Sequence, residues 1–263
     1  MKVISIIPAR MDSSRFPGKP MHPLLGIPMV GHCYFRTTMA TCRSETYVAT
    51  CDQVIADYVE SIGGKCVMTT DTHSRATERT AEAMEKIETD TGSAIDIVVM
   101  VQGDEPLIPP SAIAETLKHF DDPEIGVVNI MSRFRNQQQF EDKNNVKVVV
   151  NSFNDALYFS RESIPSPWKG IKNVPMYNQT GVISFRRDSL LNFNSTPESP
   201  LEKIESVDMN RILEHGGKIR MILADASTIG VDTLKEAEDA EELLKIDIAN
   251  DNYNKTNFEN SMQ

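Results

Sequence analysis

The 263-residue chain contains no run near the roughly 18 to 20 apolar residues that cross a bilayer, and residues 1–20 lack the apolar core of a signal peptide. A cytoplasmic protein without membrane insertion is expected. Its four cysteines, Cys33, Cys42, Cys51 and Cys66, form no CxxC pair, and with five scattered histidines they offer no metal-ligand spacing. They read as reduced and structural. Neither GxGxxG nor the Walker pattern occurs, which removes the common dinucleotide and P-loop readings. Bases are short relative to acids, 27 against 38, and the net charge of -11 disfavours a polymeric nucleic-acid partner. The deficit is uneven. The first 50 residues hold six Lys or Arg and two acids, whereas residues 232–263 hold three Lys and nine acids.

What is present is a rhythm. β-branched runs at 3–7, 46–49, 65–68 and 95–101 alternate with helical spacing at 28–40, 52–62 and 77–87. This predicts an α/β fold with a mostly parallel central sheet flanked by helices. From about 130 to 190 strand-like runs at 126–130, 146–150 and 181–185 crowd together, predicting an antiparallel extension. After a further run at 218–223, the polar stretch from Ile248 predicts a flexible tail, so the expected organisation is one domain over 1–247 and a tail over 248–263. Helical spacing also appears at 204–214 and 233–244.

The chemistry concentrates at strand ends. The first strand stops at Pro8, and the loop that follows holds Arg10, Arg15 and Lys19 against one acid, Asp12. Ligands bind open α/β sheets beyond the carboxyl ends of their strands, and such cations suit phosphates. Arg can grip phosphate oxygens bidentately, Lys acts as a mobile point charge, and Gly18 admits close backbone approach. The strand at 95–101 runs into Gln102-Gly103-Asp104-Glu105. Asp104 there can hold Mg2+ against phosphate oxygens, although a turn Asp bonded to its own backbone would explain it in isolation. Asp232 precedes a helical stretch and would serve equally as an N-cap or, beside Asp104, as a second metal ligand. Thr77 is a candidate helix cap, while Arg79 and Arg161 are isolated cations able to hold an acid or a nucleotide.

Six ordered motifs carry a resemblance: Ile6-Ile7-Pro8-Ala9-Arg10, Ser14-Arg15-Phe16-Pro17-Gly18-Lys19-Pro20, Val101-Gln102-Gly103-Asp104-Glu105-Pro106, Ala156-Leu157-Tyr158-Phe159-Ser160-Arg161, Ser199-Pro200-Leu201-Glu202-Lys203-Ile204-Glu205 and Gly230-Val231-Asp232-Thr233. Together they resemble the 3-deoxy-manno-octulosonate (Kdo) cytidylyltransferases, over nearly the whole chain to about residue 245. The resemblance implies a nucleotidyltransferase, Rossmann-like fold, usually a homodimer, that transfers CMP from CTP to Kdo or a related sugar acid with Mg2+, releasing pyrophosphate, in lipopolysaccharide biosynthesis. The implied catalytic positions are Arg10, Lys19, Asp104 and Asp232, the last two holding metal. The implied nucleotide positions are Pro8, Ala9, Arg10, Arg15, Lys19, Thr77, Arg79 and Gln102. On the acceptor side stand Arg15, Gln102, Arg161, Gln179, Phe185 and Asp208.

The departures from the family pattern fall mainly on that acceptor side. The usual His-Leu-Gly-Ile-Tyr-Gly-Tyr reads Gln179-Thr180-Gly181-Val182-Ile183-Ser184-Phe185, a usual Glu-Gln pair reads Asp208-Met209, and a usual Ser-Gly reads Arg75-Ala76. Changed polar partners predict a changed acceptor, such as a modified octulosonate, a nonulosonate or a phosphonate, with Arg75 meeting a second anionic group. A nucleotide-binding protein without catalysis is a further alternative.

Overall fold

The computed structural model describes residues 1–13, 15–40, 44–170, 174–225, 228–247, 249–250 and 253. Ser14 and Cys42 therefore lie outside the described residues, as do most positions of the expected tail. The first half builds β1 (Val3–Pro8), a small β2 (Pro23–Leu24) and β3 (Ile27–Pro28) hairpin, α1 (Met29–Ala40), β4 (Glu45–Thr50), α2 (Gln53–Ser61), β5 (Lys65–Met68), α3 (Ala76–Thr91), β6 (Ile97–Val101) and α4 (Pro110–Lys118). The second half adds β7 (Val127–Arg133), α5 (Gln137–Glu141), β8 (Lys147–Val150), β9 (Ala156–Ser160), β10 (Tyr177–Arg186), α6 (Arg187–Ser195), α7 (Pro200–Glu205), α8 (Asn210–Glu214), β11 (Arg220–Leu223) and α9 (Leu234–Leu244).

The main sheet runs β11-β7-β10-β6-β1-β4-β5, with β8 and β9 attached beside β10. Strands β6, β1, β4 and β5 are mutually parallel, β11 is parallel to β7, and β10 runs antiparallel between β6 and β7. Central strands are buried on both faces. Ile4, Ile6, Val98 and Met100 pack with Met84, Ile87, Leu190 and Phe193 of α3 and α6. Their neighbours Ile7, Val99 and Val101 pack with Val30, Ile55, Val59 and Ile113 of α1, α2 and α4. Strand side chains alternate between faces, so a sheet clad in helices on both sides needs unbroken apolar runs, which is what these strands carry.

Local chemistry sets several boundaries differently from the sequence expectation. The spacing at 204–214 resolves into two short helices, because Ser199 and Pro200 start α7 early and Ser206 leaves it in a left-handed conformation with φ of 53°. Strand β9 and helices α4 and α6 were not read from periodicity. The packed fold also extends beyond residue 247. Asn250 and Tyr253 are buried, and the Tyr253 ring stacks on Phe35 at 5.3 Å between centroids. The Tyr253 hydroxyl lies 2.6 Å from His32 Nδ1, and His32 Nε2 lies 2.8 Å from the Leu24 carbonyl. A carbonyl only accepts, so Nε2 bears the hydrogen and Nδ1 accepts from Tyr253.

Burial holds the His32 pKa down to about 4 from its ordinary 6.5, with nearby Arg36 acting in the same direction. Between those values the unfolded chain binds a proton that the native protein refuses. This contribution to stability is complete above pH 6.5 and is lost as the pH falls towards 4. It amounts to roughly 3 kcal/mol across that window. Urea denaturation at pH 7 and pH 4.5 is expected to show a smaller acid-induced loss in His32→Gln than in the natural chain; equal losses would refute the assignment.

Candidate active site

The cleft forms where β1 and β6 end. At Pro8 the chain leaves the sheet, and a loop returns through Gly18, whose φ of 75° suits glycine, to a short turn beginning at Lys19. The Gly18 N–H donates to the Met11 carbonyl at 3.1 Å, closing the loop on itself. After β6, Gly103 lies against β1, where a Cβ would stand 3.2 Å from the Pro8 carbonyl oxygen. The Val231 N–H donates to the Asp104 carbonyl at 2.9 Å, and Phe16, Leu107, Val231, Ala237 and Leu244 form one apolar cluster beneath. Three distant segments are thereby fixed together.

Their side chains converge on one ammonium. Lys19 Nζ donates to Asp104 Oδ2 at 2.7 Å and to Asp232 Oδ1 at 2.9 Å, while Arg15 Nη2 meets the other Asp232 oxygen at 2.8 Å. Burial opposes the charge on Lys19, but the two carboxylates outweigh it and push the pKa up to about 12. Both structural alternatives for these acids fall away. Asp104 uses its carboxylate on Lys19, and Thr233 caps α9 by accepting from the Glu236 N–H, which leaves the Asp232 carboxylate to face the cleft.

Two cavities meet at this cluster, sharing Arg15, Gln102, Asp104, Asp208 and Asp232. The larger, about 440 Å³, is lined on one side by Pro8, Ala9, Arg10 and Lys19 and on the other by the start of α3, including Arg75 and Arg79. Arg10 Nη1 donates to the His73 carbonyl at 3.1 Å, and Arg79 donates to Thr69 Oγ1 and the Thr70 carbonyl. The smaller, about 240 Å³, is lined by Asn144, Asn145, Arg161, Asn178 and Gln179. Gly181 belongs to its wall; a Cβ there would stand 2.9 Å from the Gln102 side chain.

Two expected residues lie elsewhere. Phe185 is fully buried in the core beside Phe193, because antiparallel β10 crosses the cleft near Gly181 and then runs away from it, pairing Val182 with Val101 but Phe185 with Val98. Thr77 is also buried inside the first turn of α3; the cap position is Arg75, and the N–H groups of Ser74 and Arg75, just before the helix, donate to the Glu78 carboxylate. Two others are occupied. Arg161 donates to the carbonyls of Lys143, Asn144, Glu205 and Ser206, so its guanidinium ties the cavity wall together. Arg75 pairs with Glu198 at 2.9 Å and lies 3.4 Å from buried Glu202, which answers the extra cation from within the protein.

Glu105 is a site residue that the motif reading passed over. Its Oε1 accepts from the Gly181 N–H at 2.5 Å, and Oε2 is buried without a partner among the described residues. Burial, together with neighbouring Asp104, raises its pKa to about 8. Its position immediately after Asp104 was the available signal.

The cytidylyltransferase family model matches residues 4–219. A 3-deoxy-manno-octulosonate cytidylyltransferase of Geobacter metallireducens is 39% identical over 255 residues, covering 93% of this chain and 98% of that protein. Its Escherichia coli counterpart is 36% identical over 249 residues, covering 94% and 98%. The chain belongs to this family. A solved CMP:2-keto-3-deoxy-manno-octonic acid synthetase, complexed with CTP, superimposes with a TM-score of 0.84 at 36% identity, covering 93% of this chain and 99% of that one. The same fold extends to a glucose-1-phosphate thymidylyltransferase of Bacillus anthracis, described as putative, with a TM-score of 0.66 at 15% identity. Membership makes this chain a nucleotidyltransferase with the fold expected from its strand rhythm.

Gln179 lines the smaller cavity. Its Nε2 donates to Asn129 Oδ1 at 2.8 Å, so its amide nitrogen is anchored in the sheet. Because a methyl group at residue 181 has to displace Gln102, Gly181→Ala is expected to cost about 1 to 3 kcal/mol in stability and to lower turnover, as overpacking does. Unaltered steady-state kinetics and melting would show that Gln102 moves without consequence.

Proposed function

We propose that the enzyme transfers CMP from CTP to Kdo with release of pyrophosphate. One observation carries this reading: two cavities of different character meet at a carboxylate pair already gathered around a cation. The larger cavity, with Arg10, Arg15 and Lys19, takes the nucleotide. The smaller takes the sugar acid. The acceptor's anomeric hydroxyl oxygen forms a bond to the α-phosphorus, the bond from that phosphorus to the oxygen of the departing pyrophosphate breaks, and the hydroxyl proton passes to solvent water. Positioning and neutralisation of phosphate charge are the protein's main contribution, so no general base is assigned.

Asp104 and Asp232 fit Mg2+, which favours one or two carboxylates together with phosphate oxygens and water. Lys19 Nζ bonds to both carboxylates, which supports a shared cation position between them. When bound, Mg2+ supplies charge neutralisation for the triphosphate. Arg15 and Lys19 orient the acids, and Lys19 turns its ammonium to phosphate oxygens when nucleotide enters. Pro8, Ala9, Arg79 and Gln102 complete the nucleotide wall, and Gln102, Gln179 and Asp208 the acceptor wall. A homodimer is supported by Leu157 of β9, a large apolar side chain left exposed on the surface. A cytoplasmic location accords with this chemistry.

Pyrophosphate release from CTP, Mg2+ and Kdo is the direct test. Turnover is expected, and none on Kdo under conditions where CTP binds would reject the proposal. Lys19→Ala is expected to remove roughly 1.5 to 3 kcal/mol of stabilisation, about ten- to a hundredfold in kcat/KM. Unchanged kinetics would remove Lys19 from the phosphate site. Sedimentation equilibrium should give twice the chain mass; a monomer at micromolar concentration would count against the dimer.

A further inference from the structure

Lys147 opens β8 and is wholly buried, yet among the described residues it forms no ion pair. Its Nζ donates to three backbone carbonyls, those of Asp142 at 2.6 Å, Asn145 at 3.0 Å and Arg161 at 2.8 Å. An ammonium has three donors, so the cage uses all of them. Burial lowers the pKa of this group, with Asp142 and Glu162 opposing that effect. A buried cation surrounded by neutral oxygens is costly, and an apolar side chain of the same length would fill the space. What the ammonium adds is a bond between two segments that the sheet leaves unpaired at this point.

Those segments are the 142–145 loop and the end of β9. The loop carries Asn144 and Asn145 into the smaller cavity, and β9 delivers Arg161 to the same wall. Asn144 Oδ1 accepts from Arg15 Nη1 at 3.2 Å, while the other arm of Arg15 holds Asp232. Arg161 Nη1 then donates back to the carbonyls of Lys143 and Asn144. A continuous set of contacts therefore leads from the Lys147 cage through the loop to Arg15 and the carboxylate pair.

We propose that Lys147 is a positioning residue for the acceptor: its caged ammonium fixes the 142–145 loop and the Arg161 strand end, and thereby sets Asn144 and Arg15 beside the sugar acid. The assignment rests on the acceptor reading of the smaller cavity. The Asn144 bond to Arg15 is where the loop touches the nucleotide wall, whose other cations, Arg10 and Arg79, bond to the 69–73 segment instead.

The experiment uses the full chain with Lys147→Met, which keeps the length and removes the donors. KM for Kdo is expected to rise about tenfold or more, while KM for CTP and calorimetric CTP affinity, which feel the loop only through Arg15, change by no more than about threefold. Amide hydrogen exchange across 142–146 should accelerate about tenfold or more, with the β1 loop unchanged. Lys147→Gln, which retains two donors, should give intermediate values and serves if the methionine variant does not fold. In combination with Asn144→Ala, Lys147→Met should add little further to KM for Kdo, because both changes disable one wall. Equal rises in both KM values, or unchanged exchange at 142–146, would overturn the proposal. If the natural chain is silent on Kdo, the reaction reading fails and the exchange measurement decides whether Lys147 fixes the loop.

Discussion

One ammonium holds together groups separated by most of the chain. Asp104 lies 85 residues and Asp232 213 residues from Lys19, yet each carboxylate is within 3 Å of its Nζ. Two like charges about 4 Å apart repel by roughly 4 kcal/mol at a dielectric typical of a protein surface, so acids brought this close require a cation. Lys19 meets that requirement, and Arg15 adds a second charge to Asp232. The approach itself is fixed by the backbone bond from Val231 to Asp104 and by the apolar cluster from Phe16 to Leu244. The carboxylate pair is consequently brought together by contacts of the fold itself.

The central strands explain where the cluster sits. Parallel β1 and β6 end at the same edge, β1 on Pro8, which cannot donate to the ladder, and β6 on Val101, directly before Gln102-Gly103. Antiparallel β10 then crosses that edge from the opposite direction. Its register shifts between Gln179 and Ile183, at Gly181, where side-chain space is already filled by Gln102. The glycine is needed because two strands and an amide side chain meet there.

How much of this was legible depended on the range of the interaction involved. Strand ends and the residues just past them follow from local composition, so the cationic loop, Gln102 and Asp104 could be read directly. Asp232 could not be told from a helix cap by spacing, since the deciding fact is that Thr233 takes the cap. Phe185 was placed in the site because it lies six residues from Gln179 in one motif; in an extended strand that separation is about 20 Å. Arg75 looked like a free cation because its partners, Glu198 and Glu202, come from α7 and the residues preceding it. Tyr253 lies in a polar stretch with no periodicity, and only the buried face of α1 reveals why it packs.

The two cavities are built by different means, and this separates chemistry from selectivity. The larger cavity consists of one loop and one helix start, and its cations Arg15 and Lys19 are held on the carboxylate pair at the cavity surface. On the other side, the cations Arg161 and Lys147 are spent on backbone carbonyls, leaving the amides of Asn144, Asn145 and Gln179 at the cavity surface. Charges used internally can hold a wall rigid without attracting every anion that enters. Amides can then distinguish hydroxylated acids by their arrangement of donors and acceptors. Substitutions on the wall of the smaller cavity therefore change the polar surface it presents, while the carboxylate pair stays as the rest of the fold has set it.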